Sequence, residues 1–232
     1  MITCCNLICG CIATGYGFVA RGDSDSVLMA FGFIILGAVF DFFDGFSARL
    51  LHVSSLIGKE LDSLADVITF GFAPSTLAYS LLLGVLPAEY SRLSALAFLM
   101  AAFSALRLAK FNIDDRQTMG FLGLPTPANA LGWGSVALLM TSHYGFVSAH
   151  STVFLGLVVA ALLCSCTLLV CELPMFALKF HDFSWKSNAL RYSFIMLSAV
   201  IVCVLKLAAF ALIIPLYVLI SACSQIGSSE AK

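Results

Sequence analysis

The sequence predicts an all-α bundle of membrane-spanning helices, and three observations carry that prediction. Hydrophobic residues make up 61% of the 232 and charged residues only 11%, against about 25% charged in ordinary soluble domains. Mean hydropathy is +1.02. Apolar runs of about eighteen residues or more recur along the chain, each long enough to cross a hydrocarbon core of roughly 30 Å. In lipid each backbone N–H and C=O has to be satisfied within its own segment, so runs of this kind are helices. The expectation is one integral membrane domain over 1–232, not a soluble domain with an anchor. A net charge of −1 provides no basic field for nucleic acid.

The elements follow from where polar residues interrupt the apolar runs. A first helix covers about 3–20 and ends at Arg21-Gly22-Asp23-Ser24-Asp25. A second covers about 26–43 and carries Asp41 and Asp44 at its end. After a polar connection with Arg49, His52 and Lys59, a third runs from about 58 to 84, with Asp62 and Asp66 in its first turns. A fourth covers about 92–111, followed by a loop with Asp114, Asp115 and Arg116 and by Gly123-Leu124-Pro125-Thr126-Pro127. The fifth and sixth cover about 127–147 and 151–173, and Glu172 to Asn188 reads as loop or interfacial helix. The last apolar run, Ala189 to Cys223, would be about 52 Å long as one helix, too long for one crossing. Lys206 interrupts it, giving short helices over about 189–204 and 207–223. The total is eight spans, with six spans plus interfacial helices as the alternative.

Placing the N-terminus inside puts Arg49, Lys59, Arg107, Lys110, Arg116, Lys179, Lys186, Arg191 and Lys232 on the inner side, and only Arg21, Arg92 and Lys206 outside. That asymmetry fits the positive-inside rule and turns the aspartates toward the cytoplasm. The nine cysteines lie in or beside apolar segments, without zinc-site spacing, and read as small membrane-core residues. His52, His143, His150 and His181 are scattered and read as surface or interfacial residues. The N-terminus has no basic stretch before its first apolar run, so no signal peptide is expected.

Asp41, Asp44, Asp62 and Asp66 stand out in a chain that otherwise avoids charge. Fully immersed and uncompensated, four carboxylates would cost on the order of 10 kcal/mol. Asp41 and Asp44 are three apart on one helix and Asp62 and Asp66 four apart on the next, so each pair shares a face. A short connection brings the helices together antiparallel, and all four groups converge at one depth. Oxygen-only ligands of this kind suit Mg²⁺ or Mn²⁺. Four carboxylates are enough for two ions roughly 3.5–4 Å apart, an arrangement that clamps the attacking and leaving oxygens of a phosphoryl-type displacement. Gly45 and Gly58 let backbone approach a bulky ligand, Ala48 leaves room one turn after Asp44, and Arg49 offers bidentate bonds to a phosphate. The opposing reading is a set of interfacial carboxylates held by Arg49, Lys59 and Arg107.

The pattern Asp41-x2-Asp44-Gly45-x2-Ala48-Arg49-x8-Gly58-x3-Asp62-x3-Asp66 resembles the signature of the CDP-alcohol phosphatidyltransferase family at each fixed position. Further stretches resemble its serine-using bacterial members: Thr3-Cys4-Cys5-Asn6, Leu61 to Pro74, Arg107-Leu108-Ala109-Lys110-Phe111-Asn112, and Gly123 to Pro127. The likeness covers most of 3–130, and beyond that only hydropathy is shared. Lys110 stands where the family pattern leads one to expect Arg, which keeps the charge but loses the bidentate fork.

The resemblance implies that Asp41, Asp44, Asp62 and Asp66 hold two divalent ions, with Asp66 also the general base. Gly45, Ala48, Arg49 and Gly58 would surround the nucleotide diphosphate. Thr3 and Asn6 would either touch the nucleotide or cap the first helix. The implied reaction joins CDP-diacylglycerol to L-serine, with Arg107 and then Lys110 as candidates for the serine carboxylate. Positive-inside anchoring is the competing role for both. A bacterial inner membrane location with a cytoplasmic site and a homodimer are implied as well. Glycerol 3-phosphate or an inositol phosphate are alternative acceptors, each demanding a denser basic pocket. A cation transporter is the reading from another class, and it would spread charged residues along several spans.

Overall fold

A tight turn begins the assembly. In the computed structural model, which describes residues 1–51, 55–113, 121–175 and 185–229, α1 (Ile2–Val19) and α2 (Ser24–Leu50) form an antiparallel hairpin. Gly22 sits in the turn at φ +70°, a conformation that costs glycine nothing for want of a Cβ. Asp23 caps α2 by accepting from the backbone N–H groups of Asp25 and Ser26. The Ser26 hydroxyl donates to it as well, and that bond, ahead of the backbone ones, holds its carboxyl below the usual range.

The second helix continues past the expected end near 43 to Leu50. No proline follows Asp44, and Gly45 alone does not break the helix, so Asp41 and Asp44 lie within it rather than at its end. The unfavourable dipole expected for them is correspondingly weak, because that effect fades beyond the last turn.

The next rod is continuous from Leu56 to Val85: α3 (Leu56–Asp66), a π-helical segment (Val67–Phe72) and α4 (Ala73–Val85). Ser55 caps it, its hydroxyl accepting from the Gly58 N–H at 3.0 Å. Pro74 explains the π-turn. It has no N–H for the Phe70 carbonyl, so the ladder widens ahead of it. Ser75 and Thr76 hydroxyls donate to the Gly71 and Ala73 carbonyls at 2.7 Å each.

A 3₁₀ segment (Ala88–Phe98) leads into α5 (Leu99–Ile113), so this rod starts ahead of the expected residue 92. Two residues of β1 (Phe121–Leu122) pair antiparallel with β2 (Pro174–Met175), a strap within what the sequence suggested was loop. Gly123 follows β1 at φ +73°, where a Cβ would lie 2.8 Å from the Cys171 carbonyl. Pro127 sits in the first turn of α6 (Thr126–Ser142), where a missing N–H costs nothing. The expected helix to 147 breaks at His143 into a short α7 (Tyr144–Ala149), and α8 (Ser151–Val170) follows.

The long C-terminal run divides at Lys206, as its charge suggested. Lys206 adopts φ 51°, which a non-glycine residue enters only at a cost, between α9 (Trp185–Leu205) and α10 (Phe210–Ser229). The Ser135 hydroxyl donates to the Leu207 carbonyl left open by the break, at 2.7 Å. Phe194 and Tyr217 rings lie 5.8 Å apart, so the two helices fold back on each other. In one straight helix those residues would be about 34 Å apart.

The all-α polytopic bundle is therefore borne out. Among the described residues, six helical stretches are long and apolar enough to cross a membrane: Ile2–Val19, Ser24–Leu50, Leu56–Val85, Ala88–Ile113, Ser151–Val170 and Leu190–Cys223. The count of eight differs in two places. At 17 residues α6 is short for a crossing, and Leu190–Cys223 counts as one apolar stretch although it folds back. Large apolar side chains such as Leu28, Leu36, Phe42, Leu157 and Leu163 point outward, as a lipid-facing surface requires. His52, Asp114, Asp115, Arg116, Lys179, His181 and Lys232 lie outside the described residues, as does the Lys186 side chain.

The core lies between α1, α2, the π segment, α4, α5, α6 and α8, with Ile34, Phe70, Leu77, Met100 and Trp133 buried in it. A Cβ added to Gly10 would sit 2.8 Å from Cα and 2.9 Å from N of Thr69, backbone atoms that no rotamer change can move. Gly10→Ala is therefore expected to push α1 off the π segment and cost about 1–3 kcal/mol, the usual penalty of overpacking. A thermal melt in detergent checks this, and an unchanged midpoint would refute so close a contact.

Candidate functional site

The hairpin α1/α2 and the rod beginning with α3 bring Asp41, Asp62 and Asp66 together. One carboxylate oxygen from each lies within 4.8 Å of the others, and all three groups are half-buried. Asp41 and Asp62 come within hydrogen-bonding reach of each other. Two unit charges about 4 Å apart repel by roughly 4 kcal/mol at an effective dielectric near 20. Among the described residues no Lys or Arg forms an ion pair with these aspartates. A divalent cation bound by all three removes the repulsion, so the donor set fits a hard, oxygen-seeking metal ion.

Asp44 stands one helical turn from Asp41 and outside this group of three. Its Oδ2 accepts from the Thr3 hydroxyl, while its charge still acts on Asp41 and Asp62. The expectation of four converging carboxylates is thus met by three, with Asp44 tied to α1. Asn6 is fully buried and its Nδ2 donates to Asp66 Oδ1 at 3.1 Å. The Asn6 backbone carbonyl accepts from the Thr69 hydroxyl at 3.0 Å. Thr3 and Asn6 therefore orient aspartates from α1, a placement that neither a nucleotide contact nor helix capping had anticipated. No cap bond from a side chain starts α1.

Gly45, Ala48 and Arg49 lie on the exposed last turns of α2, and Gly58 on the exposed first turn of α3. Nothing lies within 4 Å of the space a Cβ would fill at Gly45. At Gly58 a Cβ would meet the Ser55 hydroxyl at 2.9 Å, so glycine there also serves the helix cap. Arg49 makes no ion pair among the described residues.

The far side of the site is built by α5 and tied to α3. The Asn112 amide donates to the Ser63 hydroxyl at 2.8 Å, Ser63 donates to the Lys59 carbonyl at 3.2 Å, and Lys59 Nζ donates to the Asn112 carbonyl at 3.3 Å. Arg107 is 7% exposed, and its Nε has no hydrogen-bond partner among the described residues. It lies within electrostatic reach of Asp66. Lys110, one turn on, pairs with Glu172 at 3.8 Å. Tyr217 of α10 also reaches Arg107 electrostatically. The sequence offered little sign of it beyond a phenol in an apolar run.

Comparison with known proteins accords with this site. The sequence model of the CDP-alcohol phosphatidyltransferase family matches residues 1–171. Among similar proteins named CDP-diacylglycerol–serine O-phosphatidyltransferase, that of Bacillus subtilis (strain 168) is 44% identical over 127 residues, covering 55% of this chain and 67% of the relative. That of Methanocaldococcus jannaschii is 36% identical over 131 residues, covering 56% and 60%. That of Mycobacterium leprae is 32% identical over 199 residues, covering 82% and 60%. The chain thus spans about three-fifths to two-thirds of the length of these relatives. The aspartate cluster lies inside the matched region, and on that match the chain belongs to the CDP-alcohol phosphatidyltransferase family.

Proposed function

We infer that the protein transfers a phosphatidyl group from CDP-diacylglycerol to the hydroxyl of L-serine, giving phosphatidylserine and CMP. The observation that carries this reading is the cluster of Asp41, Asp62 and Asp66, with a buried Arg107 in electrostatic reach of Asp66 whose Nε has no partner among the described residues. The name borne by the relatives supports serine as the acceptor.

Asp41, Asp62 and Asp66 would hold Mg²⁺ or Mn²⁺, with Asp44, one turn from Asp41, as the fourth carboxylate of a two-ion site. Bound ions would neutralise the diphosphate and the departing phosphate. Arg49 meets the diphosphate at the exposed end of α2, and Gly45, Ala48 and Gly58 leave the backbone open to the nucleotide. Asn6 fixes one Asp66 oxygen and leaves the other to accept the serine hydroxyl proton. The serine oxygen then bonds to the phosphorus bearing diacylglycerol, the bond from that phosphorus to the CMP oxygen breaks, and CMP departs. Ser63 is engaged by Asn112 and Lys59, which favours direct displacement over a covalent intermediate on its hydroxyl.

The acceptor's carboxylate pairs with Arg107, assisted by Lys110. Glu172 beside Lys110 lowers the net positive charge there, which disfavours the dianionic acceptors glycerol 3-phosphate and inositol phosphate. The carboxylates gather at one depth rather than along several spans, unlike a transport path. We place the protein in a bacterial inner membrane as a homodimer, with the site on the cytoplasmic side.

An acceptor panel tests the reading. Purified protein with Mn²⁺ and CDP-diacylglycerol should release CMP with serine and not with glycerol 3-phosphate or inositol phosphate; the reverse pattern overturns the acceptor. Arg107→Lys keeps the charge but loses the bidentate fork, and should raise the serine KM roughly tenfold or more. The KM for CDP-diacylglycerol should move by less than about twofold. Equal rises in both would give Arg107 a structural role.

A further inference from the structure

Serine differs from a simple hydroxy acid by one group, its α-ammonium, and a site specific for serine needs an acceptor for it. We propose that Glu172 binds that ammonium and so completes, with Arg107 and Lys110, a site for a zwitterionic acceptor. This rests on the serine reading above and goes beyond it by naming a specificity residue.

A narrow cleft of about 20 Å³ opens among Arg107, Lys110, Leu122, Val170, Cys171 and Glu172. That volume admits about one water-sized group, the size of an ammonium. Among the described residues lining it, Glu172 supplies an acid and Arg107 and Lys110 supply cations, so the cleft offers both signs of charge within one small space. The buried Arg107 lines this cleft and is also within electrostatic reach of Asp66, the proposed base, so one residue links the cleft to the reacting group.

Glu172 is held in position from both sides. Helix α8 ends at Val170, and the Cys171 N–H closes back on the Thr167 carbonyl at 2.9 Å. Beyond it, the Gly123 N–H donates to the Leu173 carbonyl at 2.9 Å, and β2 pairs with β1. The cleft lies at the C-terminus of α8, where the helix dipole favours a cation and disfavours an anion. An incoming ammonium would share Glu172 with Lys110, leaving Lys110 to turn toward the carboxylate.

The test separates ammonium binding from a structural pairing with Lys110. In the full-length protein, Glu172→Gln should raise the serine KM roughly tenfold, the usual worth of one charge-assisted hydrogen bond. The KM for CDP-diacylglycerol should stay within about twofold. Inhibition by 3-hydroxypropanoate, which keeps the hydroxyl and carboxylate but lacks the ammonium, should be unchanged or stronger. Glu172→Asp should recover part of the lost serine affinity. An unchanged serine KM overturns the proposal, and so does a parallel weakening of serine and 3-hydroxypropanoate. A wild-type protein that releases no CMP in response to serine would instead remove the acceptor reading on which the proposal stands.

Discussion

Replacing Asp66 by Asn is expected to abolish turnover while leaving CDP-diacylglycerol binding measurable. The change removes a proton acceptor and keeps the shape, so the Asn6 amide still finds an oxygen partner after a flip. Loss of a general base costs about 10²–10⁴ in rate, and the simultaneous loss of a metal-binding oxygen adds to it. A drop in kcat of about 10³-fold or more is therefore predicted, read as CMP release under saturating substrates. Liponucleotide affinity should fall far less, because Asp41, Asp62 and Arg49 remain. Activity within about tenfold of wild type would remove Asp66 as the base.

Stripping divalent cations should have an effect of similar size. With Asp41, Asp62 and Asp66 oxygens within 4.8 Å of one another, the charged groups repel, and a cation among them would relieve that repulsion. Dialysis against chelator should take CMP release to background, and Mn²⁺ or Mg²⁺ should restore it. Asp62→Ala should do what the chelator does without being rescued by added metal, since it removes one of the three clustered carboxylates. Tight Mn²⁺ binding, read from the electron paramagnetic resonance of the free ion, should be lost in that variant. Full activity after exhaustive chelation would contradict the assignment of the three carboxylates.

Much of this site could be read from spacing alone. Asp62 and Asp66 at i and i+4 share a face of α3, and the short link from α2 forces the hairpin that brings Asp41 beside them. The break at Lys206 was legible because no single helix of that length fits a bilayer. Other features were hidden because they depend on tertiary contact. The tie between Thr3 and Asp44 joins residues 41 apart, and that between Asn6 and Asp66 residues 60 apart. The strap at Phe121–Leu122 and Pro174–Met175 is too short for any alternation to signal it. Glu172 looked like a loop residue until the fold placed it against Lys110. The π segment had a local cause in Pro74, yet one proline does not say whether a helix breaks, kinks or widens.

Those hidden contacts give α1 a role that its apolar composition conceals. Thr3 and Asn6, its two buried polar side chains near the N-terminus, each hold one aspartate. Gly10 brings the helix against the backbone of Thr69, three residues past Asp66. The first helix is thus part of the site's frame as much as a membrane span.

The most direct test follows labelled serine into lipid. Purified protein with Mn²⁺ and CDP-diacylglycerol should convert radiolabelled L-serine into a chloroform-soluble product, one serine incorporated for each CMP released. CMP released without serine incorporation, or incorporation that persists in Asp66→Asn, would contradict the account.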